Sequence, residues 1–232
     1  MTSSPENLEV IYEDNHLIAV NKKSGDITQG DKTGDIPLSE VVKAYIKKKY
    51  QKPGNVFLGT VHRLDRPVSG VVVFAKTSKA LSRMTKLFRD KETQKVYWAI
   101  VEQEPPKTSD TLVQYLQKNS QKNKSIAFNY ERSDAKKSEL TYTLKGKGQR
   151  YFYLEIHPKT GRHHQIRVQL SSNKMIIKGD VKYGAKRPNK DGSIHLHARS
   201  LSFTHPVNKE QLCITAPVPN EVLWQDFEQL LR

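Results

Sequence analysis

The run VHRLDRPVSG (61–70) sets one carboxylate, Asp65, between two guanidinium groups, Arg63 and Arg66. A carboxylate so placed has two uses. Its arginines can neutralise it as a surface ion pair, or it can act as an anion that attacks an electrophilic carbon or takes a proton. Spacing alone leaves both open. A second polar cluster, GRHHQIRVQL (161–170), gathers Arg162, His163, His164 and Arg167. A helix over 163–172 would turn His163 and His164 to roughly the same side as Arg167, four and three residues on. For a lone arginine such as Arg167, phosphate binding or an ion pair is the commoner role.

Other chemistries lack their residues. The chain has no Walker loop, GxGxxG, CxxC pair or GxSxG. Its eight histidines include two dense pairs, His163-His164 and His195-x-His197. Adjacent histidines on a helix diverge by about 100°, so the first pair is poorly placed to chelate. With no HExxH and no cysteine ligand beside them, no metal site is expected. A metal-dependent nuclease would need clustered acidic or histidine ligands, and that reading is set aside.

Composition bounds the partner. Against 24 acidic residues stand 39 Lys and Arg, a net charge of +15 in 232 residues. That excess is an electrostatic footprint for nucleic acid, because each neutralised phosphate releases counterions. Charge does not separate RNA from DNA. No apolar run is long enough for a membrane span, and the first residues carry no secretory pattern. The single cysteine, Cys213, cannot form an internal disulfide, which fits a reducing cytoplasm. A strongly charged surface also favours a monomer.

The elements that must position these clusters follow from periodicity. Residues 1–8 read as a loose tail, and 9–232 as one catalytic domain. Residues 8–12 and 16–20 read as strands around the turn Glu13-Asp14-Asn15. Leu38, Val41, Val42 and Tyr45 recur at helical spacing. Val71–Ala75 is the continuous apolar run of a strand covered on both faces. A helix capped by Ser78 runs through Lys91, with Lys79, Arg83 and Lys86 on one face. Val96–Val101 is a second buried-type strand. The basic tract KNSQKNKS (118–125) reads as a hairpin tip or loop, equally a solvated loop or an RNA contact. Strands over 137–144 and 150–157 join at Gly146-Lys147-Gly148. Short strands near 194–198 and 201–204 and a helix over 219–231 complete an α+β fold on a mainly antiparallel or mixed sheet.

Six blocks together resemble the RluA-type family of RNA pseudouridine synthases. HRLDRPVSG (62–70) is similar to the family's HRLDxxTSG. With it come YEDNHLIAVNKKSG (12–25), KVYWAIV (95–101), GRHHQIRVQL, GDVKYG (179–184) and LHARSLSFTHP (196–206), in the family's order. The resemblance implies the pseudouridine synthase fold and isomerisation of uridine in structured RNA, ribosomal or transfer, with no cofactor. It implies Asp65 as the catalytic carboxylate, Arg167 as the partner that keeps it ionised, and Tyr97 stacked on the target base. Trp98 would then be the neighbouring core aromatic. Arg63 would fill or brace the stack vacated by an extruded base. Arg66, Arg162, His164 and the Lys79/Arg83/Lys86 face are expected RNA contacts. Lys23, Val68, His163 and Gln169 depart from the family pattern and are expected to alter the RNA-facing rim. With no separate RNA-binding domain before the catalytic region, substrate choice would rest on that region's loops. The rival reading is a catalytically idle RNA-binding protein on the same fold, against which the intact Asp65/Tyr97/Arg167 set argues.

Overall fold

A computed structural model of the chain describes residues 2–31 and 33–231. In chain order its strands are β1 (Val10–Glu13), β2 (Leu17–Lys22), β3 (Gly59–Thr60), β4 (Ser69–Ala75), β5 (Gln94–Val101) and β6 (Ser109–Asn119). Then come β7 (Lys124–Phe128), β8 (Lys136–Lys147), β9 (Phe152–Pro158), β10 (Leu196–Thr204) and β11 (Gln211–Thr215). The α-helices are α1 (Leu38–Lys49), α2 (Ser78–Arg89), α3 (Gln165–Ser172) and α4 (Val222–Leu230), and a 3-10 turn spans Val181–Tyr183. This is the expected α+β class.

The chain divides into two compact units. One contains the residues up to Gln94 with Ala198–Pro219, the other Lys95–His197 with the residues from Asn220 on. In the first, β1, β2 and β4 pair antiparallel in that order, β3 adds to β4, and β11 adds to β10. The turn between β1 and β2 is fixed by Asp14, whose Oδ1 accepts from the backbone N–H of His16 and Leu17 at 2.7 and 2.6 Å. Every residue of β4 is buried, as its unbroken apolar run requires. Met84 and Ala80 of α2 close over Val71, Val73, Leu17 and Phe203. The cap of α2 is Thr77, whose hydroxyl accepts from the Ala80 N–H at 3.1 Å; Ser78, the expected cap, is the first helical residue. Helix α1 carries Glu40 in its first turn and Lys47, Lys48 and Lys49 in its last, matching its dipole.

The second unit is an antiparallel sheet in the order β5-β9-β8-β6-β7. On it α4 lays Trp224 and Phe227, and the Phe227 ring meets those of Trp98 and Tyr153 at 4.6 and 5.0 Å. Helix α3 packs on β6 and β7. Its Gln169 is fully buried and donates to the Leu112 carbonyl at 3.1 Å. Val68 is buried as well. These two departures from the family pattern therefore serve the interior, not an RNA-facing rim.

Three further expectations change in detail. The two strands expected near 194–198 and 201–204 are one, β10, and β11 was not foreseen. The helix expected from residue 163 starts at Gln165, because His164 adopts a left-handed conformation (φ 52°) at the N-cap. His163 and His164 therefore precede the helix and their rings stack 3.8 Å apart instead of diverging.

Candidate active site

The loop that carries Asp65 joins β3 to β4 and is tied down from below. Thr28, itself buried, accepts the Leu64 N–H and donates to the Leu64 carbonyl, both at 3.2 Å. Ser24 donates to the Pro67 carbonyl at 3.1 Å, and the Gly25 N–H to that of Arg66 at 2.9 Å. The Val68 N–H closes a turn on the Asp65 carbonyl at 3.0 Å. Upstream, His62 Nε2 accepts the Val73 N–H at 3.0 Å while its ring stacks on Phe88 of α2. At the loop's end, Gly70 has φ +116°, and a Cβ there would overlap the Ala198 carbonyl. Only glycine fits the position.

Beneath the loop lies Lys22, with no exposed surface. Its ammonium donates to the carbonyls of Lys23, Arg66 and Val68 at 3.0, 3.1 and 2.7 Å. Burial pushes its pKa down to about 7, against the pull of the Asp26 and Asp65 carboxylates and with the help of Arg66. A buried cation thus shares its field with Asp65. Asp26 is buried too, and accepts from Ser3, in the segment read as a loose tail, through its N–H and hydroxyl at 2.8 and 2.6 Å.

Asp65 is half-buried, whereas Arg63 and Arg66 are exposed. Arg66 forms an ion pair with Asp35. On α2, Arg83 donates to the Pro206 carbonyl at 2.9 Å and Lys86 pairs with Asp90 at 2.6 Å. Lys79 is exposed, and among the described residues no carboxylate pairs with it.

In the second unit, Tyr97 lies half-buried on β5 opposite Ile156, and Trp98 on the other face is the core aromatic expected there. Arg167 on α3 is buried and held in plane by Asp180, Nε to Oδ2 at 2.7 Å and Nη2 to Oδ1 at 2.8 Å. Its guanidinium lies 5.1 Å from the Tyr183 ring centroid. The Tyr183 hydroxyl accepts the Ser125 N–H at 2.8 Å and bonds His164 Nδ1 at 2.9 Å. His164 is buried in this arrangement, while Arg162 is exposed. Lys22, Thr28, Asp180 and Tyr183 were not singled out from the sequence. Asp180 and Tyr183 lie in GDVKYG and Lys22 in NKKSG, so motif membership was the one signal available. Among the described residues no three His, Cys, Asp or Glu side chains are placed to hold a metal ion. No described helix is long and apolar enough to cross a membrane.

The profile of RNA pseudouridylate synthases matches residues 16–172, more than half of the chain. The chain belongs to the RNA pseudouridylate synthase family. A ribosomal large subunit pseudouridine synthase C of Buchnera aphidicola is 34% identical over 90% of this chain and 67% of its own length. One from Vibrio vulnificus is 32% identical over 92% of this chain and 66% of its own, so the chain spans about two thirds of such relatives. A tRNA pseudouridine synthase C of Vibrio vulnificus is 31% identical and covered almost end to end, 95% of this chain against 94% of its own. The fold of Human RNA Pseudouridylate Synthase Domain Containing 4 superposes with a TM-score of 0.77 at 23% identity, over 96% of this chain and 91% of that one. This pseudouridylate synthase family chain thus keeps its Asp65 loop inside the matched region, together with Tyr97 and Arg167.

Proposed function

We propose that the protein is an isomerase that converts specific uridines of structured RNA to pseudouridine, with Asp65 as its catalytic carboxylate. The reaction breaks the bond between ribose and ring nitrogen, turns the uracil, and joins the ribose to ring carbon 5. The proton leaves carbon 5 and the freed nitrogen gains one. Nothing is oxidised or hydrolysed, so the chemistry requires no cofactor. An ionised carboxylate serves by attacking the anomeric carbon or by taking a ribose proton. The observation that carries the reading is the Asp65 loop itself. Its backbone is fixed by Lys22, Thr28 and Ser24 while Asp65 itself is only half-buried, which is preorganisation spent on one side chain.

Arg167, fixed by Asp180, is the charge partner assigned to Asp65, and Tyr97 the ring that stacks on the target base. Arg63 braces the vacated stack, and Arg66, Lys79, Arg83, Lys86 and Arg162 contact phosphate, the paired ones by exchanging partners. His164, bonded to Tyr183, supports this surface from within. The relatives' names cover both ribosomal and transfer RNA, and transfer RNA comes first for testing because that relative matches over nearly its whole length. The net charge of +15 supports a monomer, and the single cysteine a cytoplasmic site of action.

The test uses transfer RNA tritiated at uracil carbon 5, incubated in EDTA with the wild type and with Asp65→Asn. Wild type releases tritium and the variant, still bound to RNA, does not. Release that needs divalent metal, or that survives Asp65→Asn, sinks the assignment.

A further inference from the structure

The tract KNSQKNKS, equivocal as sequence, is not a loose loop. It is the tip of the β6–β7 hairpin, and side chains from elsewhere in the second unit clamp it. Asn123, in a left-handed conformation (φ 44°), meets His163 Nε2 through its Oδ1 at 3.1 Å. The Ser125 hydroxyl lies 2.9 Å from His163 Nδ1 and 2.7 Å from the His163 carbonyl, to which it donates. From the 3-10 turn, Lys182 donates to the Asn123 carbonyl at 3.2 Å, and Lys124 sits over the Tyr183 ring at 5.1 Å. The tip, the 3-10 turn and the loop before α3 are therefore one surface.

That surface is cationic and unneutralised. No acidic residue lies between Thr111 and Tyr130. Lys118, Lys122, Lys182 and Arg162 are exposed, and among the described residues no carboxylate pairs with them or with Lys124. Some cations of this unit are matched, Lys107 with Asp110 at 3.0 Å, Arg132 with Asp134 at 2.9 Å and Lys159 with Glu139 at 2.6 Å, while the tip gathers its unmatched ones on one ordered hairpin. Lone exposed lysines are ordinarily solvated, but these ride on a scaffold already ordered by folding. Binding then loses less conformational entropy than a mobile loop would.

We propose that the clamped β6–β7 tip, with Lys182 and Arg162, is a docking surface for the phosphate backbone of the RNA. This rests on the reading of the protein as an RNA-modifying enzyme and assigns part of its grip. The tip offers donors from lysines and interleaved Asn, Ser and Gln amides and hydroxyls, the groups that contact phosphate and sugar. Residues 118–124 include no apolar side chain to anchor a protein interface.

The experiment measures binding of unmodified transfer RNA between roughly 0.05 and 0.2 M salt, where each phosphate neutralised adds about 0.7–0.9 to the slope of log K against log salt. Lys118→Gln/Lys122→Gln is compared with the equal charge loss Lys47→Gln/Lys52→Gln at the end of α1. The tip variant is expected to shed about 1.5 from the slope and to bind roughly tenfold or more weakly at the low-salt end. The α1 variant keeps the wild-type slope. A tip variant with the wild-type slope, an α1 variant that loses as much, or an equal loss of binding to polyglutamate overturns the proposal. Failure of the enzymatic reading shows separately, as wild type that binds this RNA but releases no tritium from it.

Discussion

Replacing Lys22 by methionine isolates the buried charge beneath the Asp65 loop. In the unfolded chain Lys22 titrates near 10.5, and in the folded protein at about 7. Below pH 7 it is charged in both states, and the fold bears the full cost of burying the ammonium. Above pH 10.5 it is neutral in both and that cost is gone. Between the two the unfolded chain holds the extra proton, so wild-type stability rises with pH across this window. From pH 6 to 9 the gain amounts to about 3 kcal/mol, at 1.36 kcal/mol per unit across the part of the window that is crossed. Lys22→Met lacks the term. It also leaves the Lys23, Arg66 and Val68 carbonyls without this donor, a loss of roughly 1–3 kcal/mol per buried group that hardly varies with pH. The stability of wild type minus that of the variant should therefore rise by about 3 kcal/mol between pH 6 and pH 9. Urea unfolding at both values measures it, and using the difference of differences removes the carbonyl contribution. A signed difference, wild type minus variant, that stays constant or falls as pH rises refutes the placement of a charge-burdened lysine under the loop.

Two other perturbations probe the frame around the site. Asp180→Asn takes the carboxylate from the buried Arg167 and should cost about 3 kcal/mol in urea unfolding, with tritium release falling as well; a variant as stable as wild type would remove Asp180 from the account. Gly70→Ala meets both a positive φ and the Ala198 carbonyl, so a loss of roughly 2–5 kcal/mol is expected from the denaturation midpoint, and a change within about 0.5 kcal/mol contradicts the close approach.

How much of this was legible depended on what kind of signal each residue sends. The β4 run and the α2 stripe declare themselves by period, because burial on two faces or one stripe constrains every position. The α2 cap was misplaced by one residue because Thr77 and Ser78 both carry a hydroxyl, and only the extended backbone at Thr77 decides between them. The start of α3 failed for a different reason. Nothing in GRHHQ announces that His164 takes a left-handed conformation, and that single residue turns two histidines from divergent to stacked. Apart from its place in NKKSG, Lys22 sent no signal. Hydropathy places a lysine at the surface, and two of the three carbonyls that hold it come from a loop 44 and 46 residues away. Asp180 was equally hidden, since a spacing of 13 residues from Arg167 fits no local pairing rule.

The same contrast separates the cations of this strongly basic chain by what they do. Arg66, whose neighbour in sequence is Asp65, pairs with Asp35 instead, so the local RLDR sandwich is not the ion pair that organises the loop. Arg167 and Lys22 are withdrawn from solvent, one held by a carboxylate and the other by backbone carbonyls, and both are rigid. Charge held in the interior is little screened by salt. Lys118, Lys122 and Lys182 are the opposite case: exposed, unmatched by acid, and effective over the several ångströms at which a phosphate backbone is first sensed. Salt should therefore weaken RNA binding steeply while barely touching the chemical step once RNA is bound. A rate at saturating RNA that fell with salt as steeply as the affinity would show that the two sets of charges are not separate.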